Sequence, residues 1–381
     1  VIPVRVVVVG GGVIGLLTAM ECVRAGAQVE LVDQAELPSP VATSSDRHRV
    51  VRALHRGDAA LTRAGARAHE AWQSVERRLG TRFYHRVGSL TALPVPEVEG
   101  NLGLLAVAGV SGQAVSAKEL ATRYPHLRFP AGLAAVLDPA AGAVLADRAL
   151  AALTGWLRDQ PEVRLYSRRR VVELDGAGFL RLADGTVLAG DRVVVAAGPW
   201  SRDLLPAALA GELTLYRQSA LSYDPGPARQ EWAGTPAVPV LGTVHGAWLM
   251  PPVADTPVRL SAASACRAVP ELTDRQTPAH WREHLVEEFR ELLAGFDPAA
   301  VVGAADGYYL ADTATGGPLL ATFGDGAVWA YPACGGMSFK FAPLVAGAIA
   351  DRVLERPARL TGLAPVDHPR RLQPSSRGMT L

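Results

Sequence analysis

Residues 4–33 read VRVVVVGGGVIGLLTAMECVRAGAQVELVD, and the architecture of the chain follows from them. Four valines, Val6 to Val9, form an apolar run short enough for a strand buried on both faces. The run enters three glycines. Leu16, Ala19, Met20 and Val23 then recur at helical spacing, Gly26 supplies a stop, and Val29 to Val32 forms a second apolar strand ending at Asp33. Strand, helix and strand in this order predict a βαβ unit. Gly10, Gly12 and Gly15 form GxGxxG at the strand-to-helix turn. The first glycine permits the tight turn, the second lets backbone N–H groups approach a pyrophosphate, and the third lets the helix pack on the strand. Asp33 stands at the end of the second strand, where a carboxylate accepts ribose hydroxyls. Together they predict a bound dinucleotide, and an acid at position 33 disfavours NADP.

Beyond that unit, a helix is predicted over residues 58–79, with Leu61, Ala64, Ala68, Trp72, Val75 and Leu79 on one face and Gly80 as its stop. Residues 81–139 read as short strands and Pro/Gly turns. Asp175-Gly176 and Asp184-Gly185 mark a meander, and residues 192–197 a buried strand. Residues 212–270 read as β-rich. Further helices are expected over 278–294, with Thr277 as N-cap, and over about 343–354, after a strand at 327–331. The tail beyond residue 360 is rich in Pro and Arg and reads as loosely ordered.

The α/β pieces sit at the start, middle and end of the chain, so two interleaved domains are expected. One is discontinuous, over 1–80, 140–211 and 300–365. The other covers 81–139 and 212–299, and 366–381 is a tail.

Bulk properties narrow the function. A formal net charge of +1 with no interleaved aromatics gives no reason to expect a nucleic-acid partner. No apolar run is long enough to span a bilayer. The three cysteines are far apart, with no disulfide framework, and no cleavable leader pattern opens the chain. A cytoplasmic protein, monomeric or homodimeric, is the expectation. HWREH at 280–284 matches a zinc-protease spacing, but Trp281, Leu285 and Phe289 form an ordinary apolar stripe, so no metal is expected.

Three further segments carry a resemblance: RVVVAAGPWS at 192–201, RHRVVRALH at 47–55, and PACGGMSFKF at 332–341. Taken in order with the glycine motif, the chain resembles the D-amino-acid oxidase superfamily of FAD enzymes, within it the monomeric sarcosine oxidase and N-methyltryptophan oxidase group. The resemblance implies an α/β (α+β overall) fold: a Rossmann-like FAD-binding domain of the glutathione-reductase type interleaved with an antiparallel β-sheet substrate domain. It implies that Gly10, Gly12, Val13, Ile14, Gly15 and Asp33 hold the adenosine half of FAD, with Ser44 and Ser45 nearby. Val171, Ala197, Gly198 and Trp200 are further implied cofactor contacts. Gly335, Gly336, Met337, Ser338 and Lys340 would border the flavin ring.

Arg52 and Lys340 would hold the carboxylate of an amino-acid substrate, with Arg49 beside them. The chemistry of the two cations suits such a role, since a guanidinium fork and an ammonium point charge fix a small acid by charge-assisted hydrogen bonds. The implied reaction is hydride transfer from a carbon bonded to amine nitrogen, giving an imine, with O2 as electron acceptor and H2O2 released. Gly307 stands where the family's flavin-linking cysteine would fall, which predicts non-covalent FAD, a link through His48 being the alternative. Arg259 falls where the family has the lysine beside which oxygen is reduced. Arginine keeps the charge but does not deprotonate, so oxidase and dehydrogenase chemistry both stay open. Trp248 and Met250 would line the substrate pocket, and Ala263 replaces a histidine. These departures fit a larger, flatter or cyclic substrate, in a biosynthetic setting, better than sarcosine. Two other readings stand beside this one. GDGAVWAYPACGG at 324–336 has the spacing of flavin hydroxylases using NAD(P)H, and an FAD-holding subunit of an amine dehydrogenase complex would share the motifs.

Overall fold

Strand β1 (Arg5–Val9), helix α1 (Val13–Arg24) and strand β2 (Gln28–Val32) form the βαβ unit in the computed structural model, which describes residues 3–241, 246–357 and 369–371. The chain divides into two units, one of residues 1–45, 148–215 and 309–381, the other of 46–147 and 216–308.

The first unit is built on a seven-stranded sheet. Its order is Arg370–Arg371, Pro318–Phe323, Val328–Cys334, Arg192–Val195, β1, β2 and Val163–Tyr166. The last four of these run parallel with Val328–Cys334, and Pro318–Phe323 is antiparallel to that strand. The valine run has a direct cause. Val7 and Val9 pack against a three-stranded meander through Val171, Leu180, Leu182 and Leu188. Val8 faces the other way, toward Gly15 of α1. Both faces of β1 are therefore covered, and alternation disappears from the sequence. On its own side, α1 packs along the helix Ser338–Val353. Arg370–Arg371 pairs with the sheet edge, so these two residues of the tail are strand and not loosely ordered; residues 372–381 lie outside the described residues.

The second unit holds a nine-stranded sheet with Leu213–Tyr223, Val258–Ala262, Ala247–Met250 and Ala237–Val240 consecutive in it. It is not antiparallel throughout: Ala237–Val240 runs parallel to Ser89–Pro94. Helix Ala279–Leu292 covers one face, burying Leu285 and Phe289 against Leu221, Leu249 and Leu260. A smaller sheet pairs strand β3 (His48–Val51) and Tyr84–Arg86 with Gly142–Leu145. Helix α2 (Ala59–Leu79) starts where Asp58 accepts the Leu61 N–H at 2.8 Å and ends at Gly80, φ 61°.

Several expectations are corrected. Residues 46–80 and 140–147 belong to the second unit, because β3 finds its partner in Gly142–Leu145. The 81–139 region contains two helices, Val98–Val107 and Ala117–Arg123. Gly100 and Gly103 read as turn signals, yet they sit mid-helix at open positions while Leu105 is buried with Leu93 and Val136. Burial of that face outweighs the helix cost of about 1 kcal/mol per glycine. Thr277 does not cap the following helix; its hydroxyl donates to Asp306 at 2.7 Å, and the helix begins at Ala279 after Pro278. The last helix begins at Ser338, five residues before Pro343.

Candidate active site

The glycine loop of the first unit is fixed by close backbone approach. Gly10 has φ 114°, and a Cβ there would sit 2.4 Å from the Ala196 carbonyl oxygen. A Cβ on Gly15 would sit 1.9 Å from the carbonyl oxygen of Gly10. Real Cβ atoms do not approach backbone so closely, so both positions require glycine on space alone. The first contact brings the glycine loop onto the 196–198 segment, where the Ala196 N–H donates to Val9 O at 2.8 Å and Gly198 has φ 54°. Trp200 N–H donates to Ala197 O at 3.2 Å, closing the turn. Gly12 is roomier: its Cβ would meet only the Ser44 hydroxyl, at 3.5 Å, and Ala42. That hydroxyl accepts the Val13 N–H at 3.2 Å, and Ser45 N–H bonds to Ala42 O at 2.9 Å. Ile14 is buried in α1, and Val171 pairs with Leu182 in the meander.

Asp33 does more than the spacing suggests. Its two oxygens accept the Gly11 N–H at 2.6 Å and the Ala35 N–H at 2.7 Å, so the carboxylate ties the end of β2 to the glycine loop. Burial pushes its pKa up against those two bonds. Spacing does not single out Gly11, although its Cβ would meet Leu37 Cδ2 at 2.1 Å.

The turn at 334–338 is equally constrained. Gly335 and Gly336 have φ 54° and 70°. A Cβ on Gly335 would sit 2.7 Å from the Gly317 carbonyl carbon, and one on Gly336 would sit 3.2 Å from the Tyr309 ring. Met337 caps the following helix without a side-chain bond, and its N–H donates to Cys334 O at 3.2 Å. Ser338 Oγ donates to the same carbonyl at 2.9 Å and lies 2.6 Å from the Tyr331 hydroxyl, whose pKa burial pushes up. Lys340 follows, buried in the first turn of that helix. Tyr309, Gly317 and Tyr331 give no local signal in the sequence, since their part is played by contact alone.

In the second unit, strand register places Trp248 opposite Ser261 and Met250 opposite Arg259. Leu249 and Leu260 alternate to the core, so the named four share the opposite face. Ala263 lies just past the strand and is exposed. Arg259 donates to Asp46, and Arg49 lies 3.2 Å from the second oxygen of that carboxylate. Burial pushes the Asp46 carboxyl up, but the guanidiniums of Arg259 and Arg49 overcome this and hold it below the usual carboxylate range. Arg49 and Arg52 have different partners. Three residues apart on extended chain, they point to opposite faces, and the Arg52 guanidinium instead turns back to the Leu54 carbonyl.

Residues 5–352 match the family described as FAD dependent oxidoreductase. The chain belongs to this family. It is similar to peroxisomal sarcosine oxidase of Homo sapiens, 28% identical over 207 residues, which is 52% of this chain and 51% of the relative. It is similar to glycine oxidase of Pseudomonas putida, 29% identical over 310 residues, which is 73% of this chain and 81% of the relative. The chain thus spans about half the length of the mammalian relatives it matches. Among solved structures it shares the fold of NikD, an unusual amino acid oxidase essential for nikkomycin biosynthesis, with TM-score 0.79 at 21% identity over 96% of this chain and 97% of that one. L-proline dehydrogenase from P.horikoshii gives TM-score 0.77 at 19% identity, covering 93% and 94%.

FAD is therefore the cofactor of this family member, and the first unit fits it. Helix α1 opens at Gly12, which carries no side chain, and its first turn has no acidic residue, so nothing in the helix itself opposes an anion at its positive end. Among the described residues no group of three His, Cys, Asp or Glu side chains could hold a metal, and His284 of HWREH bonds the Ser264 hydroxyl at 2.9 Å. No helix of the described residues is long and apolar enough to cross a membrane.

His48 gives this FAD dependent oxidoreductase an acid sensitivity. Its Nε2 donates to the Pro251 carbonyl at 3.0 Å, which leaves Nδ1 as an acceptor, buried with no hydrogen-bond partner. Burial pushes the imidazole down to about 4 from 6.5, against the pull of Asp46 and of the Pro251 carbonyl. The unfolded chain then binds the proton more strongly. Stability is full above the unfolded pKa of 6.5 and is lost as pH falls toward the folded value of about 4. The loss approaches about 3 kcal/mol below that window. His48→Asn keeps a donor for Pro251 without titrating. Its melting temperature is expected to fall less than the wild type's between pH 7 and pH 4.5, and parallel profiles would remove His48 as the cause.

Proposed function

We propose that this FAD dependent oxidoreductase oxidises a C–N bond in a small amine that carries a carboxylate, by transfer of hydride from the carbon and release of an imine. The observation that carries the reading is Lys340, a buried ammonium placed by the constrained Gly335-Gly336 turn in the first turn of a helix. When bound, FAD supplies the two-electron acceptor. The chain's own part is to hold and orient the substrate. Lys340 is the proposed carboxylate anchor of the first unit, and Arg52 the proposed carboxylate ligand of the second. Arg259, held by Asp46, is proposed as the cation on the oxygen side, with O2 as acceptor. Trp248 and Met250 are proposed to line the substrate pocket, which favours a cyclic or flat substrate over sarcosine. FAD is proposed to be held without a covalent bond, since Gly307 offers no thiol.

The test is the flavin absorption band under anaerobic titration with N-methyl, cyclic and ordinary amino acids. Bleaching by one class is the expected result and names the substrate family. Re-admitted air separates oxidase from dehydrogenase by the speed at which colour returns. Bleaching by NADPH and by no amino acid would replace this reading with a hydroxylase.

A further inference from the structure

We propose that Asp138, backed by His69 and Tyr84, is a positioning residue for Arg52; the inference rests on the reading of Arg52 as a carboxylate ligand. The residue after Arg52 is held by both of its backbone polar groups. Asp138 Oδ2 accepts the Ala53 N–H at 3.0 Å, in a buried contact spanning 85 residues of sequence. His55 Nδ1 lies 2.8 Å from the Ala53 carbonyl oxygen and donates to it. Helix α2 comes close from a third side: a Cβ on Gly65 would sit 2.7 Å from the carbonyl oxygens of both Arg52 and Ala53. Any larger residue there would displace the backbone that carries Arg52.

Asp138 is itself held. Its other oxygen accepts the Ala140 N–H at 3.0 Å. His69 Nε2 lies 3.8 Å from Oδ2, too far for a hydrogen bond but close enough for the ring N–H dipole to act. The far side of that ring meets the Tyr84 hydroxyl, 2.5 Å from Nδ1. With the tyrosine donating, Nδ1 is the acceptor and Nε2 carries the hydrogen facing the carboxylate. Tyr84 is fixed in turn by Gly142, where a Cβ would fall 2.4 Å from Tyr84 Cζ. Asp138, His69 and Tyr84 are all buried. A buried acid acting only as a turn former would need none of this support, since the Ala140 N–H already closes that turn. The negative charge also acts on Arg52: burial pushes that guanidinium down to about 10, and Asp138 opposes the shift. The arrangement thus sets the place of Arg52 and partly offsets the burial that disfavours its charge.

The experiment is isothermal titration calorimetry on the purified holoenzyme, with benzoate and its neutral amide benzamide as probes. Arg52→Gln is expected to weaken benzoate roughly a hundredfold, Asp138→Asn roughly tenfold and Tyr84→Phe roughly threefold, while benzamide moves less than about twofold. Should Arg52→Gln bind benzoate like the wild type, or the wild type not bind it, the reading of Arg52 fails and this inference with it. Should Arg52→Gln lose benzoate while Asp138→Asn and Tyr84→Phe keep it, or lose both probes equally, only the positioning role fails. If Asp138→Asn does not fold, Tyr84→Phe decides by the same benzoate-to-benzamide comparison.

Discussion

Lys340→Met is expected to weaken binding of carboxylate ligands by roughly a hundredfold or more, with FAD retained and melting temperature hardly changed. Only Lys118 and Lys340 are lysines among the 38 basic Lys and Arg side chains, so the chain does not use lysine by default. Nor is Lys340 placed for helix stability. It is the third residue of the helix Ser338–Val353. The N-terminal end of a helix carries positive partial charge, and a cation there costs about 0.3–1 kcal/mol. The side chain is buried, with Nζ 5.3 Å from the Phe341 ring centroid. A buried cation set against its local helix rule fits the proposed role of carboxylate anchor. Methionine has nearly the same length and helix propensity but no charge. Removing an ammonium that faces a desolvated carboxylate leaves the acid unpaired, which accounts for the size of the loss. Calorimetry with a carboxylate ligand and a thermal melt of the same preparation check it. A lowered melting temperature with unchanged affinity would make Lys340 structural.

Gly15→Ala is expected to abolish FAD retention and to lower stability by several kcal/mol, well beyond an ordinary substitution. Alanine is the better helix former by about 1 kcal/mol, and Gly15 lies within helix α1, so propensity alone would predict a gain. Space decides otherwise. The new methyl would sit 1.9 Å from the Gly10 carbonyl oxygen, 3.0 Å from its carbon and 3.4 Å from Val8 Cγ1. The obstacle is mainly backbone, which does not swing aside as a long side chain does. Either α1 moves away from β1 or the glycine loop opens, and both would destroy the N–H array proposed to face the cofactor. The visible-to-ultraviolet absorbance ratio of purified protein and a urea midpoint check the two effects separately. Wild-type flavin content in the variant would mean that close packing of α1 is not needed for the site.

What single residues and short periods dictate is legible along the chain. The valine run, the GxGxxG spacing and Asp33 specify β1, α1, β2 and a dinucleotide, because a strand covered on both faces needs unbroken apolar residues and a turn approached by backbone needs glycine. Helix α2 is legible for the same kind of reason, in its apolar stripe and its Asp58 and Gly80 ends. Contacts between residues far apart in the chain emerge only on folding. Asp46 binds Arg259 across 213 residues. Asp138 fixes Ala53 across 85. Residues 46–80 join the second unit because β3 pairs with Gly142–Leu145. Local pattern states that a strand or a buried charge will have a partner. It does not state which one, because that choice depends on the geometry of the folded chain as a whole.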